Sequence, residues 1–166
     1  MARLVLVGLP ATGKTSVAKA IAQLWNCDYV DTDELLSERL GEPASEYLRA
    51  HGEPAFRAKE FEALIEALST DAVVATGGGI VTTASARTML SRECTMWLDC
   101  GAEVLLERLG DSDRPLLADD PRGALERLRG QREQWYLEVS RARIDASGTL
   151  EEVTERVLEA ANKDEK

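Results

Sequence analysis

The sequence predicts an α/β domain in which helices cover both faces of a parallel sheet. Three observations lead there. Short apolar runs of strand character recur at Leu4 to Val7, Asp28 to Val30, Ala72 to Ala75 and Thr95 to Leu98, with a weaker one at Arg143 to Asp145. Helical patterns lie between them, and that alternation is the mark of a parallel sheet buried on both sides. A length of 166 residues with 44% hydrophobic content suits one domain, 1–166, with a self-sufficient core.

Leu4 to Val7 has the continuous apolar, β-branched content of a buried strand, and Val17, Ala18, Ile21, Ala22 and Trp25 then recur at helical spacing. Between them Gly8-Leu9-Pro10-Ala11-Thr12-Gly13-Lys14-Thr15 matches G-x-x-x-x-G-K-[ST] without a mismatch. In a strand-to-helix setting this pattern wraps backbone N–H groups and the positive helix end around phosphates. Ala11, Thr12, Gly13, Lys14, Thr15 and Ser16 are therefore the expected nucleotide-binding stretch. Lys14 reaches the β and γ phosphates, and Thr15 offers its hydroxyl to Mg²⁺.

The second strand, Asp28 to Val30, runs into Asp31-Thr32-Asp33 at the carboxyl edge of the sheet, where open α/β folds bind ligands. One carboxylate can approach Mg²⁺ through water while the other accepts hydrogen bonds from a substrate hydroxyl. Alternatively, Asp33 caps a helix beginning at Glu34. From Glu34 to Leu68 several helical turns are inserted, punctuated by Gly41-Glu42-Pro43 and His51-Gly52-Glu53-Pro54. Phe56, Leu64, Ile65 and Leu68 read as its packing face. Arg57 has Glu60 one turn on to orient it, and His51 reads as a capping or exposed residue at a helix end.

After Ala72 to Ala75 comes Gly77-Gly78-Gly79, which either lets a substrate lie against bare backbone or makes a tight turn before a helix near Ala84. Gly110 to Arg122, beyond the fourth strand, is rich in Gly, Asp and Pro without sustained periodicity, which suits a flap. Arg114 within it is placed to swing over a γ-phosphate. Arg108 and Arg132 carry no sequence signal beyond surface pairing. Thr149 and Glu152 form a capping box for a last helix with an apolar stripe of Val153, Val157, Leu158 and Ala161, and Asn162 to Lys166 is a polar tail.

A formal charge of -10 and a pI near 4.7 argue against nucleic acid or an anionic membrane as partner. Cys27, Cys94 and Cys100 lack CxxC spacing, so neither a disulfide framework nor a zinc site is indicated. Trp25, Trp97 and Trp135 read as packing residues. No run approaches the ~18 apolar residues of a membrane span, and Met1 leads directly into the first strand. A soluble, cytoplasmic monomer is the expectation.

Taken together, the phosphate loop, Asp31-Thr32-Asp33, Phe56-Arg57 with Glu60, Gly77-Gly78-Gly79, Arg114-Pro115-Leu116-Leu117 and Arg132 resemble shikimate kinases in order and near-spacing. The resemblance spans nearly the whole chain. It implies the three-layer P-loop kinase fold: a five-stranded parallel sheet in the order 2-3-1-4-5, a substrate-binding segment at about 33–61 and a lid at about 110–122. It also implies transfer of the ATP γ-phosphoryl to the 3-hydroxyl of shikimate, on the way to chorismate.

Under the resemblance, Lys14, Asp33 and Arg114 are catalytic. Asp33 holds the shikimate hydroxyls, Asp31 joins Thr15 at Mg²⁺, and Arg57 with Arg132 clamps the substrate carboxylate. Gly78 and Gly79 add backbone contacts, Arg114 is the lid arginine and Arg108 stacks on adenine. Where many members read R-x-P-L-Y, this chain has Arg132-Glu133-Gln134-Trp135-Tyr136, and Ala146 to Leu150 lacks the arginine some relatives place beside adenine. The rival expectations are a related small-molecule kinase, of gluconate type, and a non-catalytic ATP-binding module.

Overall fold

Leu4–Val7 forms β1, the middle strand of the sheet, and every one of its side chains is fully buried. That is why the run reads as unbroken apolar residues rather than alternating ones. The computed structural model describes residues 1–110 and 119–163. Five parallel strands pair in the order β2-β3-β1-β4-β5, with β2 at Tyr29–Asp31, β3 at Val73–Ala75, β4 at Thr95–Asp99 and β5 at Ala142–Asp145. Val5 stands between Val74 of β3 and Thr95 of β4, which fixes the central register. The edge strands β2 and β5 are only partly covered.

Helices connect the strands, α1 (Lys14–Trp25), α2 (Thr32–Leu40), α3 (Ala44–His51), α4 (Glu53–Leu68), α5 (Ala84–Leu90), α6 (Ala102–Leu109) and α7 (Pro121–Val139), and α8 (Leu150–Lys163) follows the last strand. Val17, Ala18, Ile21 and Ala22 bury the inner face of α1, and Asn26 ends it in the left-handed region with its N–H on the Ala22 and Gln23 carbonyls. Trp97 of β4 and Tyr136 of α7 stack at 5.6 Å in the core. The Glu152 N–H donates to Thr149 Oγ1 at 3.2 Å, as a capping box requires. Among the described residues no helix is long and apolar enough to cross a membrane.

Three local expectations change. The second helix begins at Thr32, and its cap is Asp31 rather than Asp33, because the Asp31 carboxylate accepts from the Asp33 and Glu34 N–H groups. Ile65 is 41% exposed: α4 buries Glu60, Ala63, Leu64, Ala67 and Leu68, a stripe at helical spacing that leaves Ile65 on the far side. Pro121 and Arg122, expected at the end of an irregular stretch, open α7 instead, with proline in the first turn where its missing N–H costs nothing. Residues 111–118, including Arg114 and most of the expected lid, lie outside the described residues.

Candidate active site

All five strands run the same way, so their carboxyl ends gather the phosphate loop, Asp31, Gly77–Gly79, Asp99 and the loop after β5 along one edge. The phosphate loop passes through the left-handed region at Ala11, φ 66°, and at Gly13, φ 93°, the helix cap of α1. A non-glycine residue held there stores roughly 1–2 kcal/mol, which the surrounding structure must sustain. Buried Lys14 curls back so that Nζ donates to Gly8 O at 2.8 Å and Leu9 O at 2.9 Å. Thr12 Oγ1 donates to Leu9 O at 2.9 Å and tightens the same turn.

Thr15, in the first turn of α1, donates its hydroxyl to Asp31 Oδ2, while Asp31 Oδ1 accepts from the Asp33 N–H at 2.8 Å. One carboxylate thus ties the phosphate loop to the start of α2. Asp33 is carried by the first turn of α2, and a cavity of about 270 Å³ has Lys14, Thr15, Asp31, Asp33, Thr76 and Gly78 in its wall. Lys14, the expected phosphate-binding cation, and Asp33, the expected acid, therefore share one space.

Around Gly77–Gly79 the packing is too close for side chains. A Cβ on Gly77 would stand 2.5 Å from Asp33 Oδ1 and 3.1 Å from Glu60 Oε1, and one on Gly79 would collide with the Arg57 guanidinium. The triplet both turns the chain toward α5 and brings its backbone against charged groups. Arg57 Nη1 donates to Glu60 Oε2 at 2.7 Å, and its buried Nε makes no hydrogen bond among the described residues. Burial pushes the Glu60 carboxyl above its ordinary value, and the charge of Arg57 opposes that without cancelling it.

Arg132 lies buried in the middle of α7, so no turn follows it, and it acts electrostatically on Glu60. Its charge also acts on the Tyr136 hydroxyl one turn later. Burial raises that phenol to about 12, outweighing the pull of Arg132, so the hydroxyl stays protonated. It donates to Gly78 O at 2.6 Å. Tyr136 and Thr32, whose Oγ1 accepts from the Gly77 N–H at 3.0 Å, are site residues that sequence reasoning did not single out. The available signal was their spacing, Tyr136 at i+4 from Arg132 and Thr32 between two aspartates.

A second cavity, of about 240 Å³, is lined by Thr12, Arg108, Gly148, Leu150 and Val153 and shares Gly13 and Ser16 with the first, so the two flank the phosphate loop. Arg108 bridges the loop and the β5–α8 connection, donating to Thr12 O at 3.1 Å and Ala146 O at 2.6 Å.

Asp99, buried at the end of β4, accepts from Arg129 of α7 at 2.8 Å and from Arg143 Nε of β5 at 2.9 Å. This carboxylate docks the helix that carries Arg132. Asp99→Ala is expected to lower stability by about 2 kcal/mol, the modest end for a buried ion pair because both arginines reach solvent. Urea unfolding of the two proteins measures it; an unchanged midpoint contradicts the docking role.

A family model for shikimate kinase matches residues 10–162. Over 148 residues, 88% of this chain and 80% of the relative, the sequence is 40% identical to a shikimate kinase of Corynebacterium jeikeium. The structure of a shikimate kinase from Acinetobacter baumannii in complex with shikimate superposes with a TM-score of 0.91 at 31% identity, covering 97% of this chain and 93% of that one. A gluconokinase from Sinorhizobium meliloti covers 98% of this chain and 92% of its own with a TM-score of 0.63, but at 20% identity it shares the fold alone. A phosphate loop facing an Asp33–Arg57–Glu60–Arg132 cluster, on a 2-3-1-4-5 sheet matched at these identities, leads to one assignment: the chain belongs to the shikimate kinase family and is an ATP-dependent phosphotransferase.

Proposed function

We propose that this chain phosphorylates the 3-hydroxyl of shikimate within the cavity shared by Lys14 and Asp33, with the nucleoside in the adjoining cavity bordered by Arg108. The observation that carries the reading is the meeting of Asp33, Glu60 and the Arg57 guanidinium around Gly77–Gly79, opposite the phosphate loop, with Arg132 acting on the same Glu60 from α7. A carboxylate with neighbouring hydroxyls matches that set. The Arg57 guanidinium stands against Gly79 with Nη1 on Glu60 and Nε 3.6 Å from Glu53 Oε1, and guanidinium forks bind carboxylates in a way a point charge cannot.

Asp33 would accept hydrogen bonds from the substrate hydroxyls and orient or deprotonate the attacking one. Arg57 and Arg132 would take the carboxylate, Gly78 and Gly79 the ring through backbone groups. Lys14 would lie along the β and γ phosphates, and Arg114 is assigned to the transferring group by its sequence position. Thr15 and Asp31 present adjacent oxygens that suit Mg²⁺, a hard cation bound through one or two protein oxygens and substrate phosphates. When bound, that ion neutralises charge developing on the phosphates.

The test is a substrate panel with coupled ADP detection. Shikimate is expected to turn over far faster than gluconate or other hydroxy acids; the reverse order rejects the substrate assignment. The intact Lys14 and Asp33 speak for turnover over silent nucleotide binding.

Glu60 supplies a further expected result. Glu60→Gln loses the charged partner of Arg57, and the KM for shikimate is expected to rise about tenfold, the scale of one charge-assisted hydrogen bond. Stability should change with pH as well. Between the ordinary value of 4.5 and the raised value in the folded chain, the native state holds a proton that the unfolded chain has released. Stability therefore falls as pH rises through that window, and Glu60→Gln should flatten the decline. Urea titrations across that pH range measure it, and equal slopes in the two proteins count against a buried Glu60 titration.

A further inference from the structure

We infer that Arg156, on α8, is a positioning residue of the nucleotide site: with Arg108 it locks the loop Asp145–Gly148 into the shape against which the nucleoside rests. The inference rests on the nucleotide reading of the cavity beside the phosphate loop. Four successive carbonyls of that loop are taken alternately by two guanidiniums. Arg156 Nη1 donates to Asp145 O at 2.9 Å and Ser147 O at 2.7 Å. Arg108 Nη2 donates to Ala146 O at 2.6 Å and, more weakly, to Gly148 O at 3.4 Å.

One arginine comes from α6 and the other from α8, so the loop is gripped by two different elements. Beyond Asp145, the last residue of β5, it is an irregular connection, and its carbonyls have no strand or helix ladder to satisfy them. Its interior is tied too: Asp145 Oδ1 accepts from the Ser147 N–H at 3.0 Å and from Ser147 Oγ at 2.5 Å. Arg108 continues from this loop to Thr12 O, so the backbone beside the nucleoside is braced against the backbone that holds the phosphates.

Gly148 and Leu150 line the cavity with Arg108, whereas Arg156 does not. Arg156 therefore acts through the loop. A segment held in its bound shape has little freedom left to lose when ligand arrives, so the brace contributes to affinity for nucleotide and not for the acceptor on the other side of the phosphate loop.

The experiment uses the full chain with Arg156→Ala and Arg156→Lys, measuring KM for ATP and for shikimate, calorimetric ADP binding and thermal unfolding. Arg156→Ala is expected to raise the ATP KM and the ADP Kd about tenfold, the effect of losing contacts from one charged donor. The shikimate KM should move less than about twofold. Arg156→Lys, able to reach one carbonyl, should fall between; it carries the test if the alanine variant fails to fold. Unchanged ADP affinity in a folded variant, or equal rises in both KM values, overturns the role of Arg156. Absence of ADP binding by the unsubstituted chain overturns the nucleotide reading and this inference with it.

Discussion

Lys14→Met is expected to lower kcat by on the order of 10³ or more, because phosphoryl transfer depends on positioning and on charge placed where the phosphates develop theirs. Lys14 is buried, its stem packed in the first turn of α1 and its ammonium held at the mouth of the phosphate loop by Gly8 O and Leu9 O. Methionine keeps most of the stem volume and removes only the charge and the donors. The fold should survive: the loop loses the two bonds from Nζ, but Thr12 Oγ1 still holds Leu9 O, and removing one buried cation also removes its desolvation cost. Coupled ADP release and thermal unfolding measure the two halves of the expectation. A variant that turns over at the parent rate refutes the role of Lys14; one that is inactive but unfolded is replaced by Lys14→Arg, which keeps the charge and displaces it.

Asp33→Asn should cost about 10² to 10⁴ in kcat, the range for a positioned group that receives or directs a proton. The substitution is nearly isosteric, so the close approach to Gly77 persists. What disappears is the charge proposed to accept from the substrate hydroxyls, which stands against Gly77 while Arg57 stands against Gly79. Asp31, not Asp33, caps α2 and meets Thr15, so the helix start and the proposed metal oxygens remain intact. ATP KM is therefore expected to change little while kcat collapses, and steady-state kinetics in both substrates separates the effects. A loss confined to ATP KM moves Asp33 to the nucleotide side and rejects its assignment to the acceptor.

Much of this arrangement was legible along the chain. The phosphate loop, its flanking strand and helix, the five strands and the capping box at Thr149 depend on contacts between residues a few positions apart, and such contacts leave periodicity and spacing in the sequence. Asp31 and Asp33 were both found, and the resemblance set Asp31 beside Thr15, yet which of the two caps α2 was not legible. Residues two apart at a strand end look equivalent until the helix that follows selects one of them as its cap. Ile65 went wrong for a related reason: Leu64, Ile65 and Leu68 are all apolar, and only the contact surface of α4 decides which of them turns away.

The residues the sequence could not rank are those whose partners lie far along the chain. Arg132 carried no local signal, and it gains meaning because α7 lays it beside Glu60 of α4 and Tyr136 reaches Gly78 after β3. Arg156 likewise matters through carbonyls 9 to 11 positions away, held from the other side by Arg108. Local pattern specified the nucleotide loop, the alternation of strand and helix and the acids at the sheet edge, because backbone geometry and short-range hydrogen bonds are written residue by residue. Packing between distant elements chose the Arg57–Glu60–Arg132–Tyr136 set, buried but for Arg57, and the doubly gripped loop after β5, because burial and charge pairing exist only once those elements meet.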